Sequence, residues 1–438
     1  MNPTTFKSTR TDTRSFRFSE ALLQGLSEDG GLFIPEAIPD LPVGWRDQTA
    51  FNELGLLVLR NWLGNELPEA DLASLVTDAL NFPVPVVRLQ DSAYLGEQTA
   101  VLELTHGPTL SFKDFGARTM ARLMAYFLSK QGRKLTILVA TSGDTGSAVA
   151  DGFSGLDGIE VVLLYPKGQV SPVQEMQLVV SRPGVRSFAV EGTFDDCQRM
   201  VKEAFMDPVL AHLPLSSANS INIGRLLPQS LYYIWAYLQM DCPVINFCVP
   251  SGNLGNLTGG LFACEGGLPV NQFVVAHNAN NFFPTYLETH QANYKPSVRT
   301  VSNAMDVGVP SNFERLQSLF TPQGLNDRLW ATSVSDEETT ATMQRVYQET
   351  GYVACPHTAV GLEAVHRYRR ETGDHTPIVV LSTAHPAKFP EVVGSALQVE
   401  PPKAEALELL KSRTFTHYTL SKTLEALREV LLKKPHDT

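Results

Sequence analysis

The residues best placed to do chemistry begin with Lys113, which stands in the stretch Glu103 to Phe115, ELTHGPTLSFKDF, between a Gly107-Pro108 turn and a helical pattern. Phe115, Met120, Leu123, Met124, Phe127 and Leu128 fall near helical spacing, with Arg118 and Arg122 on another face. Asp114 is expected to cap the helix start. A lysine there meets the positive end of the helix dipole, which opposes a second positive charge and lowers the lysine pKa. Schiff-base chemistry needs such a neutral amine. On these residues alone, a snorkelling lysine at a helix start is the plainer alternative.

A second segment, Ser251-Gly252-Asn253-Leu254-Gly255-Asn256, follows the apolar run Pro243 to Val249. Two glycines let backbone N–H groups converge on a concave nest, and the helix start that follows adds partial positive charge, so the loop suits a phosphate. Close packing of a helix on a sheet also selects glycine here. The loop has neither the GK[ST] ending of a Walker loop nor the GxGxxG pattern, which argues against a nucleotide. A third loop, Ala140 to Gly146 (ATSGDTG), could grip a carboxylate at a helix N-terminus, or Ser142 and Thr145 could be ordinary caps. The fourth, Leu381 to Phe389 (LSTAHPAKF), offers Ser382, Thr383, His385 and Lys388 after the strand PIVVL, as binding groups or as loop caps.

The elements that must position these loops alternate between strand and helix. Lys134 to Ala140, the turn TSGDTG with a helix to Phe153, and Ile159 to Tyr165 make one βαβ unit. Helix SPVQEMQLVV, strand VRSFAVEG and helix DDCQRMVKEAF continue it, and the rhythm restarts at PVINFCV. The fold class expected is therefore α/β, with two open, mainly parallel twisted sheets flanked by helices and ligands at the carboxyl ends of strands. The expected division is an N-terminal extension over 1–92, a smaller α/β domain over 93–215 carrying the lysine and the SGDTG loop, a larger one over 216–400 carrying SGNLGN, and a peripheral helical tail over 401–438.

At 438 residues, 43% hydrophobic and 18% charged, the chain can bury a large core. A formal net charge of -11 speaks against nucleic acid or an acidic membrane as partner, so any anionic ligand must be met by local groups. Cys197, Cys242, Cys248, Cys264 and Cys355 show no CxxC pair or zinc spacing, which fits free thiols, no metal and a cytoplasmic location. No apolar run approaches membrane-spanning length. Asp12 and Glu20 come too early for a transit peptide.

Taken together, the segments resemble the threonine synthase family within the fold-type II pyridoxal-phosphate enzymes. The resemblance runs in order from about residue 15 to about residue 390, through GLSEDGGLFIP, HGPTLSFKDFGAR, ATSGDTGSAVA, SANSINIGRLLPQ, VPSGNLGNLTGG, SNAMDVGVPSN and TAHPAKF. It implies the fold of the tryptophan synthase β-subunit and a pyridoxal 5'-phosphate cofactor held on Lys113 as a Schiff base, with Lys113 also the proton-transfer base. Ser251, Gly252, Asn253, Leu254, Gly255 and Asn256 would bind the cofactor phosphate, Thr383 would face the ring nitrogen, and Asp144 would lie near the ring's phenolic oxygen. Leu254 and Asn256 stand where some relatives carry phenylalanine and aspartate, changes that leave a backbone nest intact. Ser142 and Thr145 would hold the substrate carboxylate.

The reaction implied converts O-phospho-L-homoserine and water to L-threonine and phosphate. Candidates for the substrate phosphate are Asn219, Ser220, Asn222, Arg225, Asn303 and Lys388, because arginine, lysine and amides suit tetrahedral oxyanions; Arg225 could instead be a structural ion-pair partner. His106 and His385 could be supporting donors or satisfied structural histidines. A serine or threonine dehydratase would share the lysine and the glycine loop but lacks the ordered set SANSIN, SNAMDV and TAHPAKF. A non-catalytic homologue would be expected to have lost Lys113. A monomer or small homo-oligomer is expected.

Overall fold

The computed structural model describes residues 3–11, 13–89 and 92–433. The larger of its two main sheets runs in the order Leu329–Ser333, Val270–His277, Ile245–Pro250, Ile378–Ser382, Thr99–Glu103, Val86–Arg88. Neighbours pair in parallel except the edge strand Val86–Arg88, which is antiparallel. The smaller sheet is wholly parallel, in the order Tyr418–Leu420, Val185–Val190, Ile159–Pro166, Leu135–Ala140, Leu215–Ser216. Central strands such as Ile378–Ser382 (IVVLS) and Ile245–Pro250 (INFCVP) are buried at every position, because helices cover both sheet faces. Apolar β-branched runs meet that demand.

Strand pairing redraws two boundaries of the expected division. Thr99–Glu103 lies beside Ile378–Ser382 in the larger sheet, so the strand leading to Lys113 belongs with the second unit rather than with 93–215. The tail from 401 is not only peripheral helix, since Tyr418–Leu420 pairs in parallel with Val185–Val190 and extends the smaller sheet. A parallel partner comes from far along the chain, so the order of elements alone does not reveal it. Residues 1–2, 12, 90–91 and 434–438, at the edges of the expected extension and tail, lie outside the described residues.

The N-terminal extension contributes a small antiparallel pair, Phe6–Ser8 with Phe33–Pro35, and the helices Phe18–Gln24, Phe51–Leu63 and Glu69–Ala79. These pack on the lysine-bearing helix Lys113–Gln131 and on Ile223–Met240. Phe115 is the hub of that contact, fully buried with ring centroids 5.5 Å from Phe51, 4.9 Å from Phe82 and 5.5 Å from Tyr232. All five cysteines are free. Among the described residues no helix is long and apolar enough to cross a membrane.

Phe115→Ala removes a ring shared by three structural units, so it is expected to cost about 3–5 kcal/mol of stability in equilibrium denaturation. A loss below about 1 kcal/mol would mean that the extension is not held through this contact.

Candidate active site

Thr99–Glu103 and Ile378–Ser382 run side by side in the same direction, so the loops after them leave from one sheet edge. The Phe112 N–H donates to Thr383 O at 3.0 Å and the His385 N–H to Leu110 O at 3.0 Å, while Ser111 bridges to Ala384. These bonds seat Lys113 beside Thr383. The helix begins at Lys113 itself, with Phe112 in the cap position, so Asp114 lies within the first turn rather than at the cap. Its buried carboxylate instead accepts from the Thr109 N–H at 2.9 Å and the Thr109 hydroxyl at 2.5 Å. A Cβ at position 107 would lie 2.4 Å from Asp114 Oδ2, so only glycine lets the turn close on this carboxylate. Burial pushes the Asp114 carboxyl up to about 6.

The Lys113 side chain is half-buried, with its amine 4.5 Å over the Phe112 ring and no hydrogen-bond or ion-pair partner among the described residues. Desolvation, helped by the nearby charges of Lys388 and Arg225, brings it down to about 8 against the pull of Asp144. Asp144 begins the helix Asp144–Phe153 and is itself engaged elsewhere. It accepts from Lys388 Nζ at 2.7 Å and Gln174 Nε2 at 3.0 Å, and both members of the ion pair are buried. Burial alone would raise Asp144, but Lys388 and Lys113 hold its carboxylate well below the usual range.

Lys388 Nζ also donates to Thr109 O at 3.0 Å. Two of its three N–H groups are thus committed within the protein, which leaves one for any further acceptor. Asn222 is also engaged within the protein. It caps the helix Ile223–Met240 by accepting from the Gly224 N–H at 2.9 Å, and its amide donates to Leu22 O and Ser217 O.

The loop after Ile245–Pro250 is built as a nest. Leu254 takes the left-handed region at φ 60, and the helix Gly255–Glu265 follows. Its side chains are spent on holding shape: Ser251 Oγ donates to Asn256 Oδ1 at 2.7 Å, Asn256 Nδ2 to Pro250 O at 2.8 Å, and Asn253 Nδ2 to Ser220 Oγ at 2.6 Å. The backbone N–H groups of Gly252 to Asn256 find no acceptor among the described residues. A Cβ at Gly252 would fall 2.9 Å from Met305 Cα, so the loop lies hard against the SNAMDV segment. Consecutive unspent amides at a helix start suit a phosphate.

In the third loop, Thr141 does the capping expected of Ser142 or Thr145, its hydroxyl accepting from the N–H groups of Gly143 at 3.0 Å and Gly146 at 2.8 Å. The Ser142 and Thr145 hydroxyls, both half-buried, have no partner among the described residues. Asn219 holds Ala140 O at 3.4 Å, joining this loop to the SANSIN segment. Asn303 donates to Gln174 Oε1 at 3.1 Å and leaves its buried Oδ1 unpartnered. Buried Arg225 donates Nη1 to Ala218 O at 2.5 Å, keeps Nε unpartnered, and among the described residues has no carboxylate within ion-pair distance.

Both histidines singled out from the sequence are satisfied within the protein. His106 Nε2 lies 2.8 Å from Glu103 Oε2, and His385 Nδ1 accepts from the Ala387 N–H at 3.1 Å. Sequence reasoning missed Gln174, whose amide touches Asp144, Asn303 and the Ser171 N–H. The capping-box spacing Ser171-x-x-Gln174 was the available signal, and it points only to a helix start. It also missed His357, which accepts from the Ala304 N–H at 3.1 Å and is brought by burial down to about 4.

A lysine amine unpaired among the described residues, with a backbone anion nest on a neighbouring strand end, fits pyridoxal phosphate in both its reactive and its anionic parts. The family model for pyridoxal-phosphate dependent enzymes matches residues 78–384, and this chain is a pyridoxal-phosphate-dependent enzyme. Models for the threonine synthase N terminus and C-terminal region match residues 5–80 and 358–431. Threonine synthase from Haemophilus influenzae is 42% identical over 427 residues, 95% of this chain and 96% of that protein. The structure of threonine synthase from Escherichia coli superposes with a TM-score of 0.89 at 37% identity, over 98% of this chain and 99% of that one. That of the pyridoxal-phosphate-bound enzyme from Brucella melitensis gives 0.89 at 36% identity, over 98% of each. The chain belongs to the threonine synthase family.

Lys388→Met leaves the Asp144 carboxylate buried without its cation. The expected cost is about 3–5 kcal/mol in denaturant unfolding at neutral pH. A variant as stable as the parent would show that the pair contributes nothing to holding the site together.

Proposed function

We propose that the enzyme converts O-phospho-L-homoserine and water to L-threonine and phosphate, with Lys113 as cofactor anchor and proton-transfer base. The observation that carries this reading is the Lys113 amine, brought down to about 8, without a hydrogen-bond or ion-pair partner among the described residues, and seated beside Thr383. Pyridoxal phosphate, when bound, supplies an electron-accepting ring conjugated to the substrate nitrogen, which lowers the cost of removing protons from carbon. The backbone of Gly252 to Asn256, with Ser251 at its entrance, holds the cofactor phosphate. Thr383 faces the ring nitrogen with a neutral hydroxyl, and Asp144 stands on the phenolic side with its charge fixed by Lys388.

Ser142 and Thr145, whose hydroxyls are unspent, hold the substrate carboxylate at the start of the helix Asp144–Phe153. Arg225, Asn219, Ser220 and Asn303 remain the candidates for the phosphate that leaves Cγ. The net change removes one proton from Cα and one from Cβ, releases phosphate from Cγ, returns protons to Cγ and Cα, and adds the oxygen of water at Cβ. Lys113 is positioned to take and return the proton at Cα and to take the one at Cβ. In this reading the two main sheets are the cores of the two domains, with Thr99–Glu103 in the larger and Tyr418–Leu420 in the smaller. A monomer or small homo-oligomer acting in the cytoplasm on a small molecule belongs to the same reading.

Incubation with O-phosphohomoserine is expected to yield threonine and phosphate in equal amounts, and Lys113→Ala to lower that turnover by about 10⁴-fold or more. A protein that deaminates threonine but leaves phosphohomoserine untouched would defeat the reading in favour of a dehydratase. Because desolvation lowers Lys113 to about 8, its neutral fraction rises about tenfold per pH unit below that value and levels off above it. Reconstitution of the full-length chain with cofactor should follow the same curve when colour development is timed from pH 6 to 9. A rate still climbing at the top of that range would place the amine near its ordinary value.

A further inference from the structure

Arg315, in the helix Phe313–Leu319, is fully buried, and among the described residues no carboxylate lies within ion-pair distance of it. Its guanidinium donates only to neutral acceptors: Nε to Phe33 O at 2.9 Å, Nη1 to Ser220 O at 3.1 Å and to Asn312 Oδ1 at 2.5 Å, and Nη2 to Ile221 O. The adjacent acid, Glu314, is turned outward to Arg10 Nε at 3.2 Å and to the Thr9 hydroxyl at 2.5 Å. Burial lowers Arg315 to about 9 against the pull of Glu314, so it remains a cation at neutral pH. A buried charge balanced by dipoles alone is expensive unless an anion comes to lie nearby.

The groups around Arg315 lead directly to the anion nest. Asn312, which takes one of the arginine's bonds, donates Nδ2 to Asn253 O at 3.1 Å. The Ser311 N–H donates to Asn253 Oδ1 at 2.5 Å, and Asn253 Nδ2 donates to the Oγ of Ser220, the residue whose carbonyl Arg315 holds. Arginine, Asn312, Asn253 and Ser220 thus close a ring of hydrogen bonds about the second residue of the nest. The remaining bond, to Phe33 O, reaches into the strand Phe33–Pro35 of the N-terminal extension.

We infer that Arg315 is the positioning residue and counter-charge of the loop Gly252 to Asn256, and that through it the N-terminal extension governs how tightly a phosphate group is held there. The inference rests on the assignment of that loop to the cofactor phosphate. Arg315 does not touch the phosphate. It fixes the shape of the nest through Asn312 and Asn253 and supplies positive charge behind backbone amides that carry only partial charge.

The test uses the full-length chain freed of bound aldehyde and titrated by absorbance with pyridoxal 5'-phosphate and, separately, with pyridoxal, which has the same ring and aldehyde but no phosphate. The ratio of the two dissociation constants measures what the phosphate contributes, and general loosening of the fold weakens both ligands without moving that ratio. Arg315→Met is expected to shrink the ratio by about tenfold or more, because it removes the charge behind the nest and the bonds that shape it. Asn312→Ala, which keeps the arginine but cuts its link to Asn253, should shift the ratio in the same direction by a smaller factor, as should Arg315→Lys, which keeps the charge but cannot span the acceptors. If Arg315→Met fails to fold, the other two variants decide. Ratios equal to wild type in the variants that fold would overturn the inference, whereas a wild-type ratio near one would overturn the assignment of the loop itself.

Discussion

The constraint on which the site depends is buried positive charge with too few carboxylates to balance it. Lys113, Lys388 and Arg225 share one electrostatic neighbourhood with Asp144 and Asp114. The close ion pair among them is Asp144 with Lys388 at 2.7 Å. Because that carboxylate is taken, Lys113 and Arg225 stand without a partner of opposite sign at contact distance among the described residues. A buried cation in that position either gives up its proton more easily or is fastened to carbonyl oxygens, and Lys113 takes the first course while Arg225 and Arg315 take the second. The chain as a whole carries a formal charge of -11, so its general field does not favour anions. Local cations and amides have to attract what the surface repels, and both the cofactor and the substrate proposed here carry phosphate.

Segments up to about 280 residues apart converge because parallel strands release their following loops at the same edge. Hydrogen bonds then fix the convergence to ångström scale. Thr109 O, in the Gly-Pro turn, receives both Lys388 Nζ and Gln177 Nε2, joining the lysine segment to the last loop and to the helix Pro172–Val179. Gln174 on the same helix ties Asp144 to Asn303. Since Gly252 packs against Met305, two residues beyond Asn303, the SGNLGN nest and the SGDTG loop are connected through a single 3-10 turn. A shift in any one of these loops is felt by the others.

The sequence made the architecture legible where a short-range rule governs it. Alternating apolar runs and helices gave the strands Leu135–Ala140, Ile159–Pro166 and Ile245–Pro250 nearly to the residue, and the unpaired lysine and the glycine nest followed from local chemistry. What failed to show were properties set by distant partners. Asp114 read as a cap because an aspartate just inside a helix start commonly is one, yet the turn at Gly107 returned the Thr109 amide to its carboxylate first. Lys388 and Asn222 read as phosphate ligands because their types suit that task, and only the fold reveals that Asp144 and a helix start had already claimed them. Gln174 and Arg315 carried no signal strong enough to separate them from ordinary helix residues.

The ion pair also bears on the proposal that one lysine serves as base at two carbons. At an ordinary lysine pKa of about 10.4, the amine would be neutral in about one molecule in three thousand at pH 7, and at about 8 that fraction rises to about one in ten. Desolvation alone produces such a shift only if no carboxylate pairs with the amine, because a salt bridge to Asp144 would restore the charged form. Lys388 prevents that outcome by holding Asp144 at 2.7 Å, and its own ammonium further disfavours charge on Lys113. The site therefore keeps a full negative charge beside the reacting lysine without letting the two neutralise each other. In the proposed reaction, removing protons from Cα and then from Cβ requires a base that recovers its neutral form between steps, and a carboxylate already held by Lys388 leaves Lys113 available for that role.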